Sequence, residues 1–211
     1  ACIPFEQPRG AATLDLCDGD QALAVLSSEN TSSGVITSAR EALLHVRGNF
    51  VLTDGNGGYH ATVSNRVQFT GRAGVSMERN EAKAYPLVLL RSSTSEGVLQ
   101  VVRNRLVLAK GCRWPNCSCA SVKGGEFVLE EPGQLGRQTT VSFTRATSGY
   151  GRLDLAAGVT PVARLIVDGV PQRPGLYGSS QSAATFRNDE LFAGRGTLRV
   201  GDVNGFSLQL R

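Results

Sequence analysis

Aromatic side chains are scarce in this chain: Phe, Trp and Tyr make up 6% of its 211 residues, with a single Trp and a single Met. A core cannot then rest on a few large rings. It has to be assembled from many Val and Leu, and with 25 Gly available this favours short strands joined by tight turns. Histidine is scarcer still, and two residues supply base-assisted nucleophilic catalysis thinly. His45, in "LLHVRG", reads as a strand residue, while His60, in "GGYHATV", follows a glycine turn and is the more exposed. No apolar run approaches the roughly 20 residues that a membrane-spanning helix needs. No block of one charge sign occurs either: 22 Lys and Arg are scattered among 18 Asp and Glu, for a net charge of +4. That distribution is a solvated surface, not a nucleic-acid arm. The chain also lacks a Gly-x-Ser-x-Gly elbow, a phosphate loop, a dinucleotide fingerprint and a His-Glu-x-x-His helix. No catalytic, cofactor-binding or metal residue is assigned, and the expectation is a protein that is not an enzyme.

Cysteine is present in an odd number, five. Cys2 and Cys17 would close a loop of about 15 residues, a bridge on the order of 3 kcal/mol in the chain-entropy view. In "GCRWPNCSC", Cys112 can bridge to Cys117 or to Cys119, which leaves one cysteine free or paired with another chain. Zinc is the rival for this cluster, but it lacks a nearby fourth ligand. The chain opens on "ACIPFEQ", as if a signal had been removed, and Asn30 and Asn116 head the sequons Asn-Thr-Ser and Asn-Cys-Ser. Disulfides, sequons and opening together point to a secreted, extracellular or cell-surface glycoprotein.

From Val35 onward short alternating runs recur. Apolar residues stand two apart at Leu106/Leu108, Phe127/Leu129, Leu153/Leu155, Leu165/Val167, Leu198/Val200 and Leu208/Leu210. That period is the mark of half-buried strands. The pairs at 106/108 and 127/129 lie 21 residues apart and the next follows after 26, a spacing at which each turn of a solenoid stacks on the previous one. Asp54-Gly55, Asn56-Gly57, Asp168-Gly169 and Asn204-Gly205 are the hairpin signals of the competing sandwich. Residues 1–34 differ and read as a disulfide-stapled N-terminal cap, with residues 35–211 as the repeat. Pro171 and Pro174 cannot donate to a ladder, so the segment near 170–193 is expected to leave the sheets as a loop excursion.

The order of motifs in the second half resembles a known family. "GVLQVVRNRLVLAKGCRWPNCSCASVKGGEFVLEE", "GYGRLDLAAG", "LIVDGVPQRPGLYG" and "LFAGRGTLRVG" are similar to the β-strand repeats of bacterial autotransporter-type passenger proteins and related secreted β-helices. The likeness covers residues 97–201, is looser over 47–96, and is missing from 1–34. It implies a right-handed parallel β-helix (β-solenoid) with strands stacked at ~4.8 Å and signature positions that are structural, with no catalytic residue to carry over. The cysteines around Trp114 depart from the family pattern. If the coil begins near Val35, ~22 residues per rung give roughly eight rungs, near ~40 Å.

Some β-helices cleave polysaccharide, so paired carboxylates matter. Asp15, Asp18, Asp20, Glu130, Glu131, Asp189 and Glu190 read as turn and loop charges. "DLCDGD", "DGNG" at 54–57 and "GDVNG" at 201–205 offer oxygen ligands for calcium, but form no full calcium loop. The terminal "NGFSLQLR" reads as an uncapped strand that invites another chain. The expectation is therefore a secreted structural β-solenoid: an extracellular scaffold, an adhesin or a self-associating filament subunit. Its expected partners are its own ends, other extracellular proteins or glycans, with no nucleic acid and no membrane span. The alternative is a carbohydrate-active β-helix that binds or cleaves acidic polysaccharide through an arginine face of Arg66, Arg72, Arg103, Arg105 and Arg152.

Overall fold

Extended backbone sends successive side chains to opposite faces, so an apolar-x-apolar run buries one face and leaves the other wet. The computed structural model describes residues 12–15, 21–23, 26–28, 34–37, 44–47, 50–52, 61–63, 67–78 and 86–201. The chain is all-β, with no helix among the described residues. Leu106 and Leu108 of strand Arg105–Leu108, Phe127 and Leu129 of Glu126–Leu129, and Leu153 and Leu155 of Arg152–Leu155 are all buried. These strands run parallel, with Leu106 beside Phe127 and Phe127 beside Leu153. The offsets of 21 and 26 residues are thus the register of a sheet. Ala61–Val63 and Leu87–Leu89 extend it on one side and Phe192–Gly194 on the other, to six strands.

A second sheet holds the parallel strands Leu26–Ser28, Phe50–Leu52, Val75–Met77, Val98–Val101, Cys119–Val122, Thr140–Phe143 and Arg164–Val167, with an eighth strand at its edge. A third line of parallel contacts begins with Gln21–Leu23, Leu44–Val46 and Val67–Phe69. Further on, Ser93 N donates to Arg113 O at 2.8 Å and Trp114 N to Gln134 O at 2.7 Å. Val159–Val162 then pairs with Thr197–Val200. From Val98 the chain visits the eight-stranded sheet, the six-stranded sheet and this third line in a fixed order, then begins again. Parallel pairing also joins Ala12–Asp15 to Gly34–Thr37, so the boundary expected near residue 34 falls inside a strand.

The interior is a stack of apolar columns. Val75, Leu99, Ala120, Val141 and Leu165 are paired in sequence and buried. Phe69 meets Trp114 with ring centroids 5.5 Å apart, and Phe143 meets Phe192 edge-on at 5.4 Å. Each such Leu or Phe contributes about 1.5–3 kcal/mol by leaving water. Where the chain turns between sheets, polar side chains replace missing ladder bonds. Gln134, fully buried, points its amide nitrogen at the carbonyls of Leu108, Ala109 and Cys112 at 3.1, 2.7 and 2.8 Å. Thr139 Oγ1 donates to Cys117 O at 2.7 Å.

The segment expected to be a loop excursion is partly built of strands. Asp168 and Gly169, both at positive φ, turn the chain, and Val170–Pro171 folds back antiparallel on Ile166 and Val167. Gly175–Gly178 then runs antiparallel to Thr197–Val200 and takes Phe186–Arg187 on its other side. Pro171 sits in an antiparallel edge strand, outside the parallel ladders. At an outer edge a strand needs donors on one side only, and antiparallel pairing tolerates the gap. The excursion therefore lies against the outer edges of Arg164–Val167 and Thr197–Val200.

Gly97 and Gly133 separate two reasons for glycine. A Cβ on Gly97 would stand 2.0 Å from Ala73 O, whereas one on Gly133 meets nothing, that residue lying at φ +70°. Gly97→Ala is expected to lose at least about 2–3 kcal/mol through overpacking against backbone, and Gly133→Ala about 1 kcal/mol from left-handed strain. Urea unfolding of the two variants measures the difference; equal losses would refute the close-approach account.

Candidate functional site

Once Leu106, Phe127 and Leu153 point inward, the residues just before them must point out. The register aligns Arg105, Glu126 and Arg152 across neighbouring strands of the six-stranded sheet. Arg105 Nε donates to Glu126 Oε2 at 2.6 Å, and an Arg152 guanidinium nitrogen lies 3.9 Å from Glu126 Oε1. Asp154, two residues along from Arg152, is half-buried. Burial raises its carboxyl pKa above the usual 3.8, the Glu126 charge adds to that, and Arg105 and Arg152 oppose it. Two arginines and two carboxylates balance, so this face presents no excess positive charge to an acidic polymer.

The four described arginines of the expected face lie in different settings. Arg105 and Arg152 belong to this ladder, and Arg103 is exposed on the turn leading into Arg105. Arg72 lies on the wall of a groove beside the eight-stranded sheet, and Arg66 is outside the described residues. The acidic candidates are accounted for locally. Glu130 Oε2 accepts from Lys110 N and Glu131 Oε2 from Gly111 N, each at 3.1 Å, which ties one turn to the strand end 20 residues later. Asp189 Oδ1 accepts from Ser180 N at 2.7 Å, a bond that holds its carboxyl below the usual range. Glu190 is exposed beside it. His45 lies in strand Leu44–Val46 and Asp15 in Ala12–Asp15. His60, Asp18, Asp20, Asn30, Cys2, Cys17, the turn at 54–57 and residues 202–211 fall outside the described residues.

The groove beside the eight-stranded sheet gathers mixed chemistry, with a volume of about 540 Å³. It is built by the turn "RSSTSEG". Ser93 Oγ donates to Phe69 O at 2.7 Å, and Ser95 Oγ to Ala73 O at 2.5 Å. Ser95 N and Gly97 N donate back to the Ser93 and Ser95 hydroxyls, each at 3.0 Å. Buried hydroxyls thus bind the turn to the strand beneath and leave Glu96 and Val98 facing out. Strand alternation adds Ser76 and Gln100 as outward neighbours, paired in register. Gln100 Nε2 donates to Ser76 Oγ at 3.2 Å, and Ser76 Oγ to Glu78 Oε1 at 2.7 Å. Ser76 and Gln100 stand 24 residues apart in sequence, and only the register reveals that they meet.

The bridge expected from Cys112 to Cys117 or Cys119 is not formed: all three are free thiols. Their hydrogen bonds explain the separation. Cys112 Sγ donates to Arg91 O, and Cys117 Sγ to Cys119 O, each at 3.1 Å. Burial pushes the Cys112 and Cys117 thiols up to about 12. Cys119 points outward, partly exposed, in line with Val98 and Thr140; burial raises its pKa too, opposed by Ser142. No group of three or more metal-ligating side chains occurs among the described residues. Asn116 is exposed and its Nδ2 donates to Thr94 O at 3.2 Å.

Comparison with protein-family models, curated proteins and solved structures finds no match for the chain.

Two outcomes follow from the ionisable groups. Because the folded state raises the Asp154 pKa, the charged carboxylate costs stability above that value. Asp154→Asn is then expected to raise Tm at neutral pH, with the gain fading as pH falls toward 3.8. Calorimetry across pH 3 to 7 checks it, and a gain that grows on acidification would have the wrong sign. In thiol alkylation read by peptide mass mapping, Cys119 should label first, with Cys112 and Cys117 labelling only on unfolding. Simultaneous labelling of the three in folded protein would contradict their burial.

Proposed function

We propose that the chain is a right-handed parallel β-helix, a β-solenoid, serving as a non-enzymatic extracellular scaffold or adhesin. The observation that carries this reading is the parallel register itself: Leu99 beside Ala120 and Ala120 beside Val141, 21 residues on each time, through strands of four residues. A chain that returns at so short an interval, always parallel and through sheets in one order, has the economy of a coil. The resemblance of residues 97–201 to autotransporter-type passenger repeats supports the same architecture. Placement outside the cell or on its surface is supported by the sequon at Asn116, an exposed residue where a glycan would reach solvent.

The antiparallel strands over the outer edges of Arg164–Val167 and Thr197–Val200 favour a displayed scaffold over a filament subunit that grows through that end. Its partners are then other extracellular proteins or glycans, met on the outward faces. Cleavage of acidic polysaccharide is the competing activity, because Asp154 and Glu126 are carboxylates on adjacent strands. The pairing of Glu126 with Arg105 and Arg152 is better suited to holding strands in register than to protonating a leaving group.

Two experiments test the reading. Deleting residues 99–119 removes one register interval, and the shortened chain should fold to a particle shorter by ~4.8 Å in scattering. Deleting residues 99–109 breaks the phase and should abolish folding; if both deletions behave alike, the coil is wrong. Incubation with polygalacturonate and alginate should release no reducing ends. Release that disappears in Glu126→Gln or Asp154→Asn would replace the scaffold with an enzyme.

A further inference from the structure

The groove beside the eight-stranded sheet has a chemistry that narrows its ligand. Its floor is Val98, 40% exposed beside Cys119 on a face whose further outward residues Ser76, Gln100 and Thr140 are polar. Its walls carry Arg72, Glu78 and Glu96, a local balance of two negative charges against one positive. The Gln100–Ser76–Glu78 chain of hydrogen bonds presets three of the polar groups. The strand beneath is fixed by pairing of Val75 with Leu99, and the turn by Ser118 N donating to Glu96 O and Gly97 O, both at 3.3 Å. The groove does not have to be ordered by a ligand, which spares that entropy cost on binding.

An apolar patch ringed by preset donors and acceptors matches a molecule with an apolar C–H face and a girdle of hydroxyls. A carboxylate accepts from two neighbouring hydroxyls at once, an arginine donates to ring and hydroxyl oxygens, and a glutamine amide does both. A polyanion would meet Glu78 and Glu96 unfavourably, and a purely apolar ligand would strand their charges without partners. The volume of about 540 Å³ lies within the ~300–1,000 Å³ of small-ligand sites.

We infer that the groove formed by Arg72, Ser76, Glu78, Glu96, Val98 and Gln100 binds a neutral oligosaccharide. This rests on the scaffold or adhesin reading and gives it a ligand class. Glu96 and Gln100 act as the recognising polar pair, and Val98 as the surface on which a sugar ring packs.

Titration calorimetry on the full chain with cellotriose, maltotriose and mannotriose, and with trigalacturonate as the anionic probe, tests the inference. Saturable binding of at least one neutral probe is expected, stronger than that of trigalacturonate. Glu96→Gln and Gln100→Ala should each weaken it about tenfold, while Arg105→Ala on the other sheet leaves it unchanged. Circular dichroism confirms that the variants fold, and Val98→Thr gives a second, milder disturbance of the floor. Absence of saturable binding at millimolar neutral probe would overturn the inference, as would preference for trigalacturonate or equal loss in Arg105→Ala. None of these outcomes alters the particle-length and reducing-end measurements, so the scaffold reading stands or falls separately.

Discussion

Everything in this molecule depends on the parallel ladder that brings a residue back beside its counterpart, after 19 residues from Leu87 to Leu106, 26 from Phe127 to Leu153, and 39 from Leu153 to Phe192 across the excursion. The strands are three or four residues long, too short to persist alone. They survive because each is bonded to its neighbours, on both sides except at the sheet edges, and because its inward side chains fall on those of its neighbours. Register and burial are therefore one constraint. A slip of one residue would turn Leu106 and Leu108 outward and bring Arg105 inside.

The ladder cannot continue through the turns, and there the chain uses side chains as substitutes for backbone. Ser93, Ser95, Gln134 and Thr139 are buried polar residues whose bonds go to carbonyls roughly one interval earlier in the chain. Leaving such carbonyls unpaired in the interior would cost about 1–3 kcal/mol each. The groove is a by-product of this solution. The serines that hold the turn inward force Glu96 and Val98 outward, next to the polar row that begins at Ser76.

The inward residues were legible in the sequence, because alternation and the 21-residue return are visible without coordinates. The Arg105, Glu126 and Arg152 ladder was legible in principle as well, since each residue stands one place before a member of the inward column. The turn serines were not, because a buried hydroxyl and a solvated one look alike in a string of letters. Nor was the hairpin at Val170–Pro171, where two prolines argued for loop and the deciding factor was an edge requiring bonds from one side. The cysteines misled for a related reason. Closeness in sequence does not bring the sulfur atoms together, because the turn sends Cys112 and Cys117 to different carbonyls.

The charge ladder constrains how such a chain can lengthen. Along the six-stranded sheet the outward residues run positive, negative, positive through Arg105, Glu126 and Arg152. Copying the single interval that carries Glu126 would set two carboxylates side by side at strand spacing, and copying one that carries an arginine would do the same with guanidinium groups. Only a copy spanning two intervals keeps the signs alternating. The smallest unit that can be duplicated here without electrostatic cost is twice the smallest unit that repeats in shape.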